Sequence, residues 1–216
     1  MAKAPDNSDQ ISSGIRGILG RPEVYLFFQF LMNSHGKYRM CIERFLAPVN
    51  GKKILDIGCG CADILALLPR DVDYVGFDMS PAYIAYARKR FGHRARFFNR
   101  RVSDIDLQNL GLFDIVIADG LLHHLNDAEA RDLFRIGFCA LHDSGFMFTA
   151  DPTLVENQDF ISRRISLMDR GRHVRSPNAY QKIAKLVFPS LEVHVINNVS
   201  NRPQTGCILK CYKLSK

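Results

Sequence analysis

The sequence predicts an α/β chain built on a largely parallel sheet that closes in an antiparallel hairpin. Three observations carry this expectation. The short runs Ile54–Ile57, Val72–Phe77, Arg96–Asn99, Phe113–Ala118 and Phe146–Ala150 alternate with longer helical stretches. They are rich in Val, Ile and Phe and mostly apolar throughout, as strands covered on both faces are. The last two runs, Leu191–Ile196 and Gly206–Tyr212, are joined only by Asn197–Thr205. No crossover helix fits there, so this pair must run antiparallel.

The elements follow in order along the chain. Residues from about Ile11 to Leu46 read as helical, broken near Gly20-Arg21-Pro22 and again near Ser34-His35-Gly36. Residues 1–50 are therefore expected to form a helical cap on the same domain that residues 51–216 build. Ser80-Pro81 is an N-cap followed by proline at the first helical position, and Gly92 stops that helix. Asn126 with Glu129 makes a capping box, after which Leu133, Ile136, Ala140 and Leu141 share an apolar face. Ser176-Pro177 repeats the first signature, with Tyr180, Ile183, Ala184 and Val187 on one side before Pro189.

Composition limits the classes open to the chain. Its 216 residues suffice for one full-sized domain, and 47% hydrophobic with 24% charged residues excludes a largely disordered or collagen-like chain. A net charge of +7 favours anionic partners without naming one. Cys41, Cys59, Cys61, Cys139, Cys207 and Cys211 sit mostly in apolar runs, without metal-ligand spacing, and read as reduced thiols of a cytoplasmic protein. Met1–Gln10 lacks signal-peptide character, and Val24–Met32 is about half as long as a membrane span.

The chemistry begins at Lys53-Ile54-Leu55-Asp56-Ile57-Gly58-Cys59-Gly60-Cys61-Ala62, a buried strand entering a glycine turn, with a helix expected to end at Pro69. Such a turn brings backbone close to a ligand, and a helix N-terminus adds unpaired N–H groups. Asp78 ends the second strand, where a carboxylate reads ribose hydroxyls. The bland alternative is a turn aspartate, but Ser80 already fills the cap. A dinucleotide fingerprint would need glycine where Asp63 stands, a carboxylate that would repel a pyrophosphate. Asp56 instead lets a carboxylate approach a cationic ligand end.

Leu55-Asp56-Ile57-Gly58-Cys59-Gly60, Gly76-Phe77-Asp78-Met79-Ser80, Phe113-Asp114-Ile115-Val116 and Leu121-Leu122-His123-His124-Leu125 together resemble the class I S-adenosylmethionine-dependent methyltransferases. The resemblance implies a Rossmann-like α/β fold, a seven-stranded sheet of order 3-2-1-4-5-7-6 with an antiparallel C-terminal strand, here with an N-terminal helical extension. It implies S-adenosyl-L-methionine as cofactor. Asp56, Gly58, Cys59 and Gly60 would line its methionine part, Asp78 would bind the ribose and Met79 would pack on the adenine. Val102 and Ser103 would sit beside the adenine, and Ala118 or Asp119 near the methionine amine. Lys37 or Arg39 could reach the cofactor's carboxylate. The sequence departs from the pattern twice: Ala62 replaces a third glycine, and Arg101 stands where an acid near the adenine is often found, with Asp104 as a substitute.

Methyl transfer from a sulfonium needs mainly alignment, plus a base where the nucleophile carries a proton. His123 and His124 follow the fourth strand at the edge where acceptor and cofactor meet, either as base and acceptor contact or as loop-packing residues. Asp151 leaves the fifth strand on the same edge, as acceptor contact or as a turn residue before Pro152. Arg163, Arg164, Arg170, Arg172 and Arg175 crowd the segment after that strand, with His173 among them. They form either a solvated face or a site for an anionic acceptor, with Arg170, Arg172 and Arg175 as ligands and His173 as base. A second basic run, Arg88 to Arg101, leaves RNA as an alternative acceptor, weakened because Ala118-Asp119-Gly120-Leu121 replaces the NPPY or DPPY motif. A cofactor-binding module without catalysis is a further alternative. The expected activity is methyl transfer to oxygen or nitrogen of a small anionic acceptor.

Overall fold

The computed structural model describes residues 34–156, 158, 160–167, 171–197 and 205–214. Helix α1 (Ser34–Cys41) runs into a five-residue π-helical turn, Ile42–Leu46. The strands are β1 (Lys53–Ile57), β2 (Asp73–Phe77), β3 (Ala95–Phe98), β4 (Phe113–Asp119), β5 (Leu141–Pro152), β6 (Ser190–Ile196) and β7 (Gly206–Tyr212). Between them lie α2 (Pro81–Phe91), α3 (Asp104–Leu110), α4 (Asp127–Ala140), α5 (Phe160–Leu167) and α6 (Pro177–Lys185).

The strands form one sheet in the order β3-β2-β1-β4-β5-β7-β6. The pairs β3–β2, β2–β1, β1–β4 and β4–β5 are parallel, and β7 is antiparallel to both β5 and β6. Two apolar layers cover it. Leu55, Val75, Val116, Ala118 and Met147 face α4 and α6 through Phe134, Tyr180 and Phe188. Ile54, Tyr74, Ile115, Ile117 and Phe148 face the other side, where Phe45, Leu46, Ile84 and Phe91 close the core. Full burial on both sides is what the uninterrupted apolar strands encode.

The helix ends form as the caps dictate. Ser80 Oγ accepts from the Tyr83 N–H and Ser176 Oγ from the Ala179 N–H. Asn126 and Glu129 make both halves of their capping box. Two local expectations are corrected. Ser34-His35-Gly36 lies inside α1 rather than at a break, and the glycine turn leads into only a short 3₁₀ turn, Asp63–Ala66, not a helix. Ala62 sits at φ 57°, a left-handed conformation that ends the turn and prevents helical propagation from it. The expected helices before residue 34 lie outside the described residues.

Candidate active site

The order of strands reverses between β1 and β4, and such a switch point leaves a crevice beyond the strands' carboxyl ends. Four carboxylates stand along that edge: Asp78 just after β2, Asp56 near the end of β1, Asp119 at the end of β4 and Asp151 near the end of β5. Placing so many acids side by side is costly unless cations or hydrogen bonds compensate. The compensation differs at each one.

Asp78 takes the Gly60 N–H at 2.9 Å and the Ser80 N–H at 2.7 Å, one on each oxygen. Burial raises its pKa despite these two bonds. The carboxylate thereby ties the glycine turn to the end of β2. Gly58 and Gly60 have φ of 80° and 53°, which this turn demands. The turn is also held from below, since the Gly58 and Cys59 N–H groups both donate to the Phe77 carbonyl. Leu121 crosses over it so closely that a Cβ on Gly58 would come within 3.2 Å. Met79 is 62% exposed beside Asp78, an apolar surface open to a ring.

Asp56 is buried and accepts a hydrogen bond from the Tyr74 hydroxyl. Burial, with the nearby charges of Asp119 and Asp78, pushes its pKa up to about 7, although the Tyr74 bond works the other way. Asp119 is met instead by Lys37 from α1, whose Nζ lies 2.7 and 2.9 Å from its two oxygens. Burial works against that ammonium, but Asp119 outweighs it and the Lys37 pKa is raised.

Asp151 completes a dyad. Its Oδ1 lies 2.7 Å from His123 Nδ1 and accepts the His123 main-chain N–H at 3.1 Å. An ionised carboxylate only accepts, so Nδ1 donates and the imidazole keeps its lone pair on Nε2. Both residues are buried, and Asp151 Oδ2 has no hydrogen-bond partner among the described residues. The His123 Cε1 edge faces Gly120, and its Cδ2 edge faces Gly171, where a Cβ would come within 2.2 Å. Nε2 thus lies on the ring edge between two glycines. His124 tilts against His123 with ring centroids 4.0 Å apart, and the His173 N–H donates to the His123 carbonyl.

Several expected ligands are placed elsewhere. The Cys59 thiol points into the core against Gly76 and Phe97, and its N–H is taken, so its side chain lines no ligand surface. Ala118 is fully buried, which leaves Asp119 as the β4 residue with a polar group at the edge. Val102 is a core residue, and Ser103 is spent as the α3 cap, exchanging three hydrogen bonds with Asp106. Asp104 is exposed and turned to Arg135, while Arg101 faces Glu129. Arg175 is no free anion ligand: its guanidinium donates to the carbonyls of Leu122, Leu125 and His173 and twice to Asp127, using all five N–H groups. Arg163, Arg164 and Arg172 are exposed, and Arg170 lies outside the described residues.

The second basic run is not a continuous free patch. Arg88, Arg94, Arg90, Arg96 and Arg100 are bound respectively to Phe97 O, to Leu68 O and Pro69 O, to Asp63, to Asp73 and to Asp106. A groove of about 810 Å³ beside Pro48, Leu112, Phe146 and Tyr212 lies at the amino ends of β1, β4 and β5, away from the carboxylate row. Sequence reading missed Tyr74 and Gly171. A lone hydroxyl in an apolar strand pointed to the first; the glycine between Arg170 and Arg172 pointed to the second.

Comparison with known proteins agrees with this geometry. The chain carries the class I S-adenosylmethionine-dependent methyltransferase fold. Residues 54–145 match the family model described as a methyltransferase domain. An uncharacterised methyltransferase of Mycobacterium tuberculosis is 31% identical over 94 residues, 43% of this chain and 47% of that protein. The match therefore spans about half the length of these curated relatives. Among solved structures, an exported protein of Bordetella parapertussis superposes with a TM-score of 0.64 at 18% identity, covering 95% of this chain and 76% of that one. Human N-acetylserotonin methyltransferase in complex with S-adenosylmethionine superposes at 0.62 and 14% identity, covering 82% and 52%. No helix among the described residues is long and apolar enough to cross a membrane.

Proposed function

We propose that the chain is an S-adenosylmethionine-dependent methyltransferase that acts on oxygen or nitrogen of a small anionic acceptor, with His123 as general base. The observation that carries this reading is the row of carboxylates at the switch point, ending in a His–Asp dyad. Such a row suits a ligand with a cationic centre, and the dyad suits removal of one proton beside it.

The residues present fit the cofactor. Asp78 retains acceptor capacity for ribose hydroxyls beyond its two backbone bonds, the exposed Met79 offers a face for adenine, and Gly58 and Gly60 keep the turn free of side chains. Asp119 and Lys37, opposite charges already side by side, match the ammonium and carboxylate of an amino-acid end. When bound, S-adenosylmethionine supplies an activated methyl group. The chain's own work is alignment, worth up to about 7–11 kcal/mol, and proton removal, worth about 10²–10⁴-fold. Asp151 fixes the imidazole so that Nε2 takes the acceptor proton. Arg163, Arg164 and Arg172 are the exposed cations available to an anionic acceptor.

Calorimetric titration with S-adenosylmethionine, S-adenosylhomocysteine and NAD tests the reading on wild type and Asp78→Asn. The sulfur cofactors should bind and NAD should not. Asp78→Asn should weaken binding roughly tenfold or more, as loss of a charged hydrogen bond does. Binding of NAD alone, or of none of the three, would refute it. Once an acceptor is found, Arg172→Glu should raise its KM; an unchanged KM would remove the anionic part.

A further inference from the structure

We infer that Arg175 is a positioning residue for the His123 imidazole, fastening the turn that carries His123 to the strand end that carries Asp151. The inference rests on His123 being the base, and it concerns what holds that base in line.

The two members of the dyad come from different places. Asp151 belongs to β5, a central strand paired on both sides over residues 146–152. His123 belongs to a single 3₁₀ turn, Leu122–His124, with no side-chain cap. A turn that short has little rigidity of its own. Arg175 supplies it from outside. Nη1 donates to the Leu122 carbonyl at 2.9 Å and Nη2 to the Leu125 carbonyl at 2.7 Å, so the guanidinium grips the turn on both sides of the two histidines. Nε and Nη2 reach Asp127 Oδ1 at 3.0 and 2.7 Å, fixing the fork to the start of α4.

The main chain of the same residue grips the other half. The Arg175 carbonyl accepts from Thr153 Oγ1 at 2.8 Å and from the Leu154 N–H at 3.3 Å, immediately after Asp151-Pro152. Thr153 and Arg175 also form an isolated parallel bridge. One residue therefore spans the gap that the Nδ1–Oδ1 bond must close. The stretch leading to it touches the base as well, through the His173 N–H on the His123 carbonyl and through Gly171 against the ring. A planar fork with five donors is required for this set of acceptors. Lysine keeps the charge but offers its donors from one point and cannot bridge both carbonyls and Asp127.

The test is proton and nitrogen NMR on the full chain, following the hydrogen-bonded Nδ1 proton of His123, assigned by its loss in His123→Gln and Asp151→Asn. Arg175→Lys should broaden this resonance or move it upfield and shift the ring toward a mixture of tautomers, while amide protection in β1, β4 and β5 stays as in wild type. Asp127→Asn, which leaves both carbonyl bonds in place, should leave the resonance nearly unchanged. A wild-type resonance in Arg175→Lys would overturn the inference. If Arg175→Lys does not fold, Thr153→Val removes one bond on the β5 side; it should shift the same resonance, and an unmoved signal would overturn the inference. Titration with S-adenosylhomocysteine on the same samples separates the two readings. Lost cofactor binding in wild type refutes the methyltransferase reading, whereas an unmoved Nδ1 signal refutes only the role of Arg175.

Discussion

Asp56 shows how much a single residue can depend on its surroundings. In sequence it is a carboxylate two positions before a glycine turn; in the fold it is buried, beside two other acids, with one hydroxyl as its partner. The unfolded chain releases its proton near the ordinary value of 3.8, the native state only near 7. Between those values the native state holds the extra proton, so this residue's contribution to stability falls as pH rises through the window. The slope for one proton is at most about 1.4 kcal/mol per pH unit. Asp56→Asn keeps an acceptor for Tyr74 and should flatten the decline, which denaturant titrations between pH 4 and 7 would read. An unaltered pH profile would show that Asp56 is not the titrating group. Asp106 has the opposite sign. Arg100 and Ser103 hold its pKa below the usual range, so its contribution is present above about 3.8 and is lost as pH falls further.

Among the secondary-structure elements, the helices differ in what supports them. α4 begins with a capping box and buries Ala130, Leu133, Phe134, Gly137 and Ala140 against the sheet, so its start and its face were both legible. Asn126→Ala removes the acceptor for the Ala128 and Glu129 N–H groups and should cost about 1 kcal/mol, read as a lower denaturation midpoint at unchanged slope. The glycine turn is the opposite case. The pattern Gly58-Cys59-Gly60 marked the turn, but the helix expected after it does not form, because Ala62 adopts a left-handed conformation. Alanine tolerates that at about 1–2 kcal/mol, and its buried methyl group returns close to 1 kcal/mol. Ala62→Gly should therefore be nearly neutral, within about 1 kcal/mol. Ala62→Val, branched at Cβ in the same conformation, should destabilise clearly more.

At the scale of the whole molecule, α1 and the carboxylate row are coupled through Lys37 and Asp119, 82 residues apart. With side-chain exposures of 23% and 15%, the pair is shielded enough that removing one partner leaves a poorly solvated charge. Lys37→Met should cost about 1–3 kcal/mol, discounted for residual solvent, and Asp119→Asn added to it should recover part of the loss. A double-mutant cycle from urea titrations checks this; additive effects would mean that the pair contributes nothing. The same removal should weaken S-adenosylhomocysteine binding if the amino-acid end of the ligand lies there.

The order of strands, the antiparallel close, the helix caps and the positions of Asp56, Asp78, Asp119, His123 and Asp151 at the strand ends were all open to reading in the sequence. They depend on local patterns: apolar runs, cap residues, and loops too short for a second connection. What only the tertiary structure decided is which partner each polar group has. The five donors of Arg175 meet acceptors up to 53 residues away, and Lys37 reaches across to β4. An arginine in a basic run and an arginine locked between two loops look alike along the chain. Their difference arises because hydrogen bonds are satisfied in three dimensions, where a buried donor must find an acceptor wherever the fold has placed one.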